Sequence, residues 1–173
     1  MDVINNDVLE ENIISHKKAI GGDFNCKRLD MGTFYEKKLN NFMMEGVEDL
    51  SSYPIQNSAF QNCIFKNVDF GRTEFYKTIF SSCIFENCSF IKAEILKVNF
   101  NICTFKESNF FASSIDGSLN NCIFKNCNFD KSYLTESKIV NTIFTGESKP
   151  PNTRDNEEHN VIWNLQSPQC IGK

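Results

Sequence analysis

A chain of 173 residues with a formal net charge of −4 fits one domain of ordinary size. Its 40% apolar content is enough to bury a core, which excludes wholesale disorder, and 8 Gly and 4 Pro are too few for a collagen-like or low-complexity chain. No apolar run approaches the length of a membrane span, and the acidic start (Asp2, Asp7, Glu10, Glu11) lacks the apolar stretch of a secretory signal.

Two residue types are in excess, 17 Phe and 8 Cys. An even number of cysteines is compatible with a disulfide framework. The length and the missing export signal favour free thiols in a reducing cytoplasm.

In chain order, residues 1–22 read as an N-terminal helical cap. Ile4, Val8, Leu9, Ile13 and Ile14 supply its apolar positions, and Gly21-Gly22 supplies a stop. Over residues 23–57, Phe24, Leu29, Phe34 and Leu39 recur every five positions. The alternative is a capped helix, because Thr33-x-x-Glu36 precedes Leu39, Phe42, Met43, Val47 and Leu50. A degenerate first coil is the preferred reading, with residues 40–57 as an insertion punctuated by Tyr53-Pro54.

Residues 58–146 carry the dominant signal. Apolar residues recur every five positions from Phe60 through Phe65, Phe70 and Phe75 to Ile115; after one four-residue step the series resumes at Leu119 and runs to Phe144. All 18 of these centres are Phe, Ile or Leu, and they hold 13 of the 17 Phe. The residue two before each centre is always small, and six of the eight Cys stand there. A period of five is neither helical nor that of a simple strand. A chain that turns a corner every five residues instead places each centre on a new wall, and four walls explain the 20-residue recurrence of Cys-Ile/Thr-Phe at residues 63, 83 and 103. Phe65, Phe85, Phe105 and Phe124 then form one inward column, with Cys63, Cys83, Cys103 and Cys122 beside it. Corners need residues that tolerate a positive φ, and Asn62, Asn67, Asn87, Asn121, Asn126, Asn141, Gly117 and Gly146 stand two after a centre. The short step at Asp116-Gly117 predicts a local irregularity.

These units resemble the pentapeptide-repeat family, whose consensus A(D/N)LXX has Leu or Phe at the centre and a small residue two before it. The resemblance implies an all-β fold, a right-handed quadrilateral β-helix. Here Phe replaces the commoner Leu and Cys the commoner Ala.

Residues 147–173 differ in composition. Lys149-Pro150-Pro151 is expected to end the repeats. The apolar cluster Val161, Ile162, Trp163 and Leu165 reads as a tail or flap covering the open end, or as a dimer or partner contact.

Catalytic chemistry is hard to assemble from this chain, and no catalytic, cofactor-binding or metal-ligating residue is assigned. His16 and His159 are the only histidines, are far apart in sequence and are expected to be solvated. Cysteines stacked about 4.8 Å apart cannot converge four at a time on a zinc ion. They read as small buried thiols.

Surface stripes remain. Ile64, Ile84, Thr104, Ile123 and Ile143 precede the centres of one wall and should point outward, as should Ile91, Leu96 and Phe111. Each is explained either by β-propensity or by a contact surface; Ile64, Ile84, Ile123, Ile143, Ile91, Phe111 and Trp163 are the candidate partner contacts. Between residues 58 and 146, nine Lys/Arg face eight Asp/Glu, so the rod is near neutral and the acidic surplus comes mainly from residues 1–57. The expectation is a non-enzymatic, cytoplasmic rod that binds a protein partner, as a monomer or as a dimer formed through its C-terminal segment, without direct nucleic-acid or membrane binding. The alternative, implied by the family resemblance, is a DNA mimic that binds DNA gyrase or another topoisomerase and protects it against quinolones or peptide toxins.

Overall fold

The computed structural model describes residues 1–47, 50–146 and 149–165. It is a β-solenoid of about six turns with one N-terminal helix. Each turn has four walls, named here by their residues in the second turn: the Phe60, Phe65, Phe70 and Phe75 walls. All strand pairing is parallel, with each strand bonded to its equivalent one turn away. The Phe65 wall is a seven-stranded sheet built from Met43–Glu45, Ile64–Lys66, Ile84–Glu86, Thr104–Lys106, Ile123–Lys125, Ile143–Gly146 and Ile162–Leu165.

The five-residue lattice dictates this shape. Every centre from Phe60 to Phe144 is buried. In the Phe65 column, successive rings stack at 4.8, 4.7, 4.5 and 4.7 Å from Phe65 through Phe85, Phe105 and Phe124 to Phe144. Rings on adjacent walls meet edge to face, as Phe105 and Phe110 do at 5.5 Å. Both arrangements suit the ring quadrupole. Each buried Phe contributes roughly 2–3 kcal/mol of transfer free energy.

The small residue two before a centre does more than leave room. Where it is Ser, Thr or Cys its donor reaches a backbone carbonyl, in most cases in the preceding turn: Thr78 Oγ1 donates to Ile55 O at 2.8 Å, Ser58 Oγ to Phe34 O at 2.6 Å and Cys63 Sγ to Leu39 O at 3.4 Å. A buried hydroxyl therefore keeps its hydrogen bond. Ser, Thr and Cys serve the same site because each is small and carries a donor.

Corners fall two residues after each centre, with φ between 48° and 58° at the non-glycine corners from Asn57 to Asn141. Asparagine corners add a side-chain ladder: Asn87 Nδ2 donates to Asn67 Oδ1 at 2.7 Å, and Asn141 and Asn160 donate down their own column at 3.2 and 3.0 Å. The four-residue step leaves a register shift opposite Leu96 and Val98. Gly117 is required there, since a Cβ would collide with the Val98 carbonyl and stand 2.8 Å from its nitrogen.

The ends differ from expectation in four places. The five-residue beat starts at Leu29, which is buried, because Phe24 is fully exposed. Residues 40–57, expected as an insertion, continue the coil: Met43–Glu45 pairs with Ile64–Lys66, and Ile55–Gln56 pairs with Glu74–Tyr76. One additional residue between the buried Met44 and Leu50 hides the beat, and the bulky Phe42 fills a small-residue site. Past Lys149-Pro150-Pro151, where a tail or a flap over the open end was expected, the ladder resumes. Asn152–Arg154, Glu157–His159 and Ile162–Leu165 each pair with the strand one turn below. The inward register of this last turn is occupied by Thr153, Glu158 and Trp163. Finally, His16 is buried rather than solvated. Helix α1 (Asn6–Ile20), capped by the Asn5 side chain, turns Leu9, Ile13 and His16 onto the first coil. There His16 Nδ1 accepts from Leu29 N–H at 3.0 Å, with the Tyr53 ring edge-on at 6.0 Å.

Candidate functional site

The Phe65 wall presents two outward columns, one before and one after its inward centres, beside a corner column. The column preceding the centres is Met43, Ile64, Ile84, Thr104, Ile123, Ile143 and Ile162, in continuous register. Parallel pairing puts equivalent residues of successive turns directly above one another, so one apolar position per repeat becomes a stripe. Met43, Ile84, Ile123 and Ile162 are exposed; Ile64, Thr104 and Ile143 are half-buried between them. Two members, Met43 and Ile162, lie outside the repeats read from sequence. They were missed because an interruption of the beat separates each of them from the regular repeats.

The column following the centres is charged and alternates in sign at one end. Lys66 Nζ lies 3.5 Å from Glu45, and Lys106 Nζ lies 2.8 Å from Glu86. The hydrogen bond from Lys106 holds the Glu86 carboxyl below its ordinary range and raises the Lys106 ammonium in return. At the stripe's first rung, helix α1 and the wall enclose a groove of about 490 Å³, which Ile14, Lys17, Met43 and Glu45 help to line.

The other expected contacts are distributed elsewhere. Ile91 and Phe111 lie half-exposed on the Phe70 wall, and Lys131 Nζ stands 5.2 Å over the Phe111 ring. Trp163 is engaged inside the coil, stacked on Phe144, and its Nε1 donates to Glu158 Oε2 at 3.1 Å.

Charge is mixed around the rod. Corner residues Arg72, Lys92 and Lys131 flank one side of the Phe75 wall and Lys77 and Lys97 the other, with Glu74, Glu94 and Asp116 between them. Lys77 and Lys97 both approach the Tyr76 ring, at 5.1 and 5.8 Å.

The thiols face the tube. Cys63, Cys83, Cys103 and Cys122 are at most 1% exposed, beside Phe65, Phe85, Phe105 and Phe124 at no more than 2%. Burial pushes the Cys88 and Cys127 thiols up to about 12. Cys26, outside the lattice, donates from Sγ to Asp23 Oδ2 at 3.4 Å. His159 lies at the far end of the rod from His16, 3.2 Å from Glu157. Among the described residues, no group of three His, Cys, Asp or Glu is placed to hold a metal ion, and no helix is long and apolar enough to cross a membrane.

A parallel coil with one inward centre per five residues defines a β-solenoid repeat protein. Its repeats are pentapeptide repeats: the sequence matches that family description in eight copies, over residues 56–90 and 115–146. No curated protein matches the chain in sequence. Among solved structures, QnrB1, a plasmid-mediated fluoroquinolone resistance protein, is 14% identical over 68% of this chain and 72% of its own, with a TM-score of 0.44. Rfr23, a pentapeptide repeat protein from the cyanobacterium Cyanothece 51142, is 12% identical over 73% of this chain and 91% of its own, with a TM-score of 0.33. At such identity neither lends its activity to this chain.

Proposed function

We propose that the protein is a non-enzymatic interaction module: a rigid rod that offers the Phe65 wall to a protein partner. The observation that carries this reading is the stripe from Met43 to Ile162, an apolar column in unbroken register along seven strands with four exposed members. Scattered surface apolar residues need no explanation, but a contiguous flat row beside charges marks contact surfaces. The burial of both the six lattice thiols and His16 in structural roles supports a binding rather than a catalytic protein. Unpaired thiols packed as core residues support residence in a reducing compartment such as the cytoplasm.

Gyrase mimicry is less well supported. Replacing DNA on a protein surface calls for a continuous acidic face, whereas the acids here alternate with Lys on the Phe65 wall and are flanked by Lys and Arg on the Phe75 wall. Micromolar protein is therefore expected to leave gyrase supercoiling unchanged.

Affinity capture from source-cell extract tests the reading. Wild type and a Phe75-wall control, Tyr133→Lys, should retain the same protein, and Ile84→Lys/Ile123→Lys should lose it. Equal retention by all three would remove the Phe65 wall from the account.

A further inference from the structure

Two columns of the Phe65 wall are symmetric about its middle rung, Ile102-Thr104-Lys106. In the apolar column, Met43 mirrors Ile162, Ile64 mirrors Ile143 and Ile84 mirrors Ile123. Exposure follows the same pairing, at 58% and 53% for the outer pair and 41% and 43% for the inner. The neighbouring corner column repeats it: Asn41 mirrors Asn160, Asn62 mirrors Asn141 and Ser82 mirrors Asn121, with Ile102 on the centre. In the charged column Glu86 mirrors Lys125, while Glu45 and Lys66 fall opposite the neutral Asn164 and Thr145.

We infer that the partner of this wall is a second copy of the chain, docked face to face and antiparallel about a two-fold axis through Thr104. The inference rests on the proposed role of the Phe65 wall as a contact face. Such an axis places each column on itself with its direction reversed, so apolar meets apolar, Asn meets Asn or Ser, and Glu86 of each copy faces Lys125 of the other. Isologous contacts require this self-complementarity. Within the charged column Lys106 meets its own kind, and Glu86 and Glu107 already neutralise it at 2.8 and 4.0 Å.

Ile102 is a second, independent sign. Among the described residues it is the one β-branched side chain held at a positive φ, 56°, and it is 57% exposed. A β-branched residue in this region is a genuine outlier, and such strain concentrates at functional positions. On the proposed axis it meets its own copy at the centre of the interface.

The wall is about 29 Å long from six strand spacings and about 13 Å wide, or roughly 400 Å² per copy. That is about 800 Å² in total, below the standard range of stable interfaces, so the dimer is weak and transient and exchanges in the micromolar range or above.

Sedimentation velocity across micromolar to submillimolar concentrations should show a reversible monomer–dimer equilibrium. Lys125→Glu, which sets two acids against each other twice per dimer, should weaken it about tenfold, and adding Glu86→Lys should restore it. Site-directed crosslinking fixes the geometry. In a Cys26→Ser/Cys170→Ser background, a short bismaleimide should join Thr104→Cys to itself. It should not join Ile64→Cys to itself, a separation of about 19 Å along the rod, but should join Ile64→Cys to Ile143→Cys. Unchanged circular dichroism confirms that each variant is folded. A monomer at every concentration, or self-linking of Ile64→Cys, overturns the dimer. Loss of a different captured protein on Ile84→Lys/Ile123→Lys would still stand in that case, so the two failures are distinguishable.

Discussion

Trp163 lies flat on Phe144, with ring centroids 4.0 Å apart and planes 9° from parallel. This contact continues the Phe65 column into a turn whose other two inward positions, Thr153 and Glu158, are polar and exposed. The last turn thereby covers the aromatic column while offering no apolar section for a further turn, and an inward-pointing charge is a known guard on open sheet edges. Solenoids need such ends, because each repeat is stabilised by its neighbours.

Truncating the contact should therefore loosen one end only. Trp163→Ala is expected to lower stability by about 1–3 kcal/mol, below the usual loss for a fully buried aromatic because the ring is half-buried. A urea titration followed by circular dichroism measures it. Phe105→Ala, in mid-column, should cost about 3–5 kcal/mol. Equal losses at the two sites would contradict a column closed at its end.

The last turn should also behave as ladder in hydrogen exchange. The amides of Asn152, Glu157 and Ile162 donate to Ser132, Ser137 and Thr142 carbonyls, each at 2.9 Å. Their exchange should be slowed relative to a free peptide, though less than in the central turns. Exchange at the free-peptide rate would restore the flap.

Alkali should unfold the protein through its thiols. Unfolded thiols titrate near about 8.5, whereas burial holds Cys88 and Cys127 near about 12. Between those values the unfolded chain has released protons that the native chain keeps. The stabilisation is thus full below the unfolded value and is lost as pH rises toward the folded one, by about 1.4 kcal/mol per pH unit for each thiol. Urea midpoints should fall from pH 8 to pH 11. Native protein at pH 8 should react with iodoacetamide at none of the six lattice cysteines, and labelling there would contradict their burial.

Relaxing the Ile102 corner should stabilise the monomer. Ile102→Asn keeps the positive φ at less strain and is expected to add about 1 kcal/mol. A urea midpoint that falls would show that the Ile side chain has a packing role within one chain. Gly117→Ala should act in the opposite direction, by at least about 2 kcal/mol, since its Cβ meets the Val98 backbone and not a side chain that could move.

The middle of the fold was legible because each level of the sequence repeats the same instruction. Phe or Leu marks the inward centre, a small donor marks the site before it, and Asn or Gly marks the corner. Lys97 and Ile102 show that a corner is imposed by the lattice even where the residue resists it. Legibility failed where the spacing changed. One residue too many before Leu50 and the proline pair before Thr153 broke the beat, so two further coils read as an insertion and a flap. Glu158 hid the last coil further by placing a charge at an inward register. His16 looked solvated because its partners, Leu29 and Tyr53, are distant in sequence. The stripe on the Phe65 wall was visible as five rungs, whereas its mirror symmetry needed Met43 and Ile162, which only the observed register supplies.

Lysine acetylation footprinting tests the contact wall most directly, with controls built into one molecule. Dilute chain should be compared with concentrated chain and with the captured complex. The account predicts that Lys66, Lys106 and Lys125 become protected while Lys77, Lys92, Lys97 and Lys131 react unchanged. Protection of the second group with the first unaffected would contradict it.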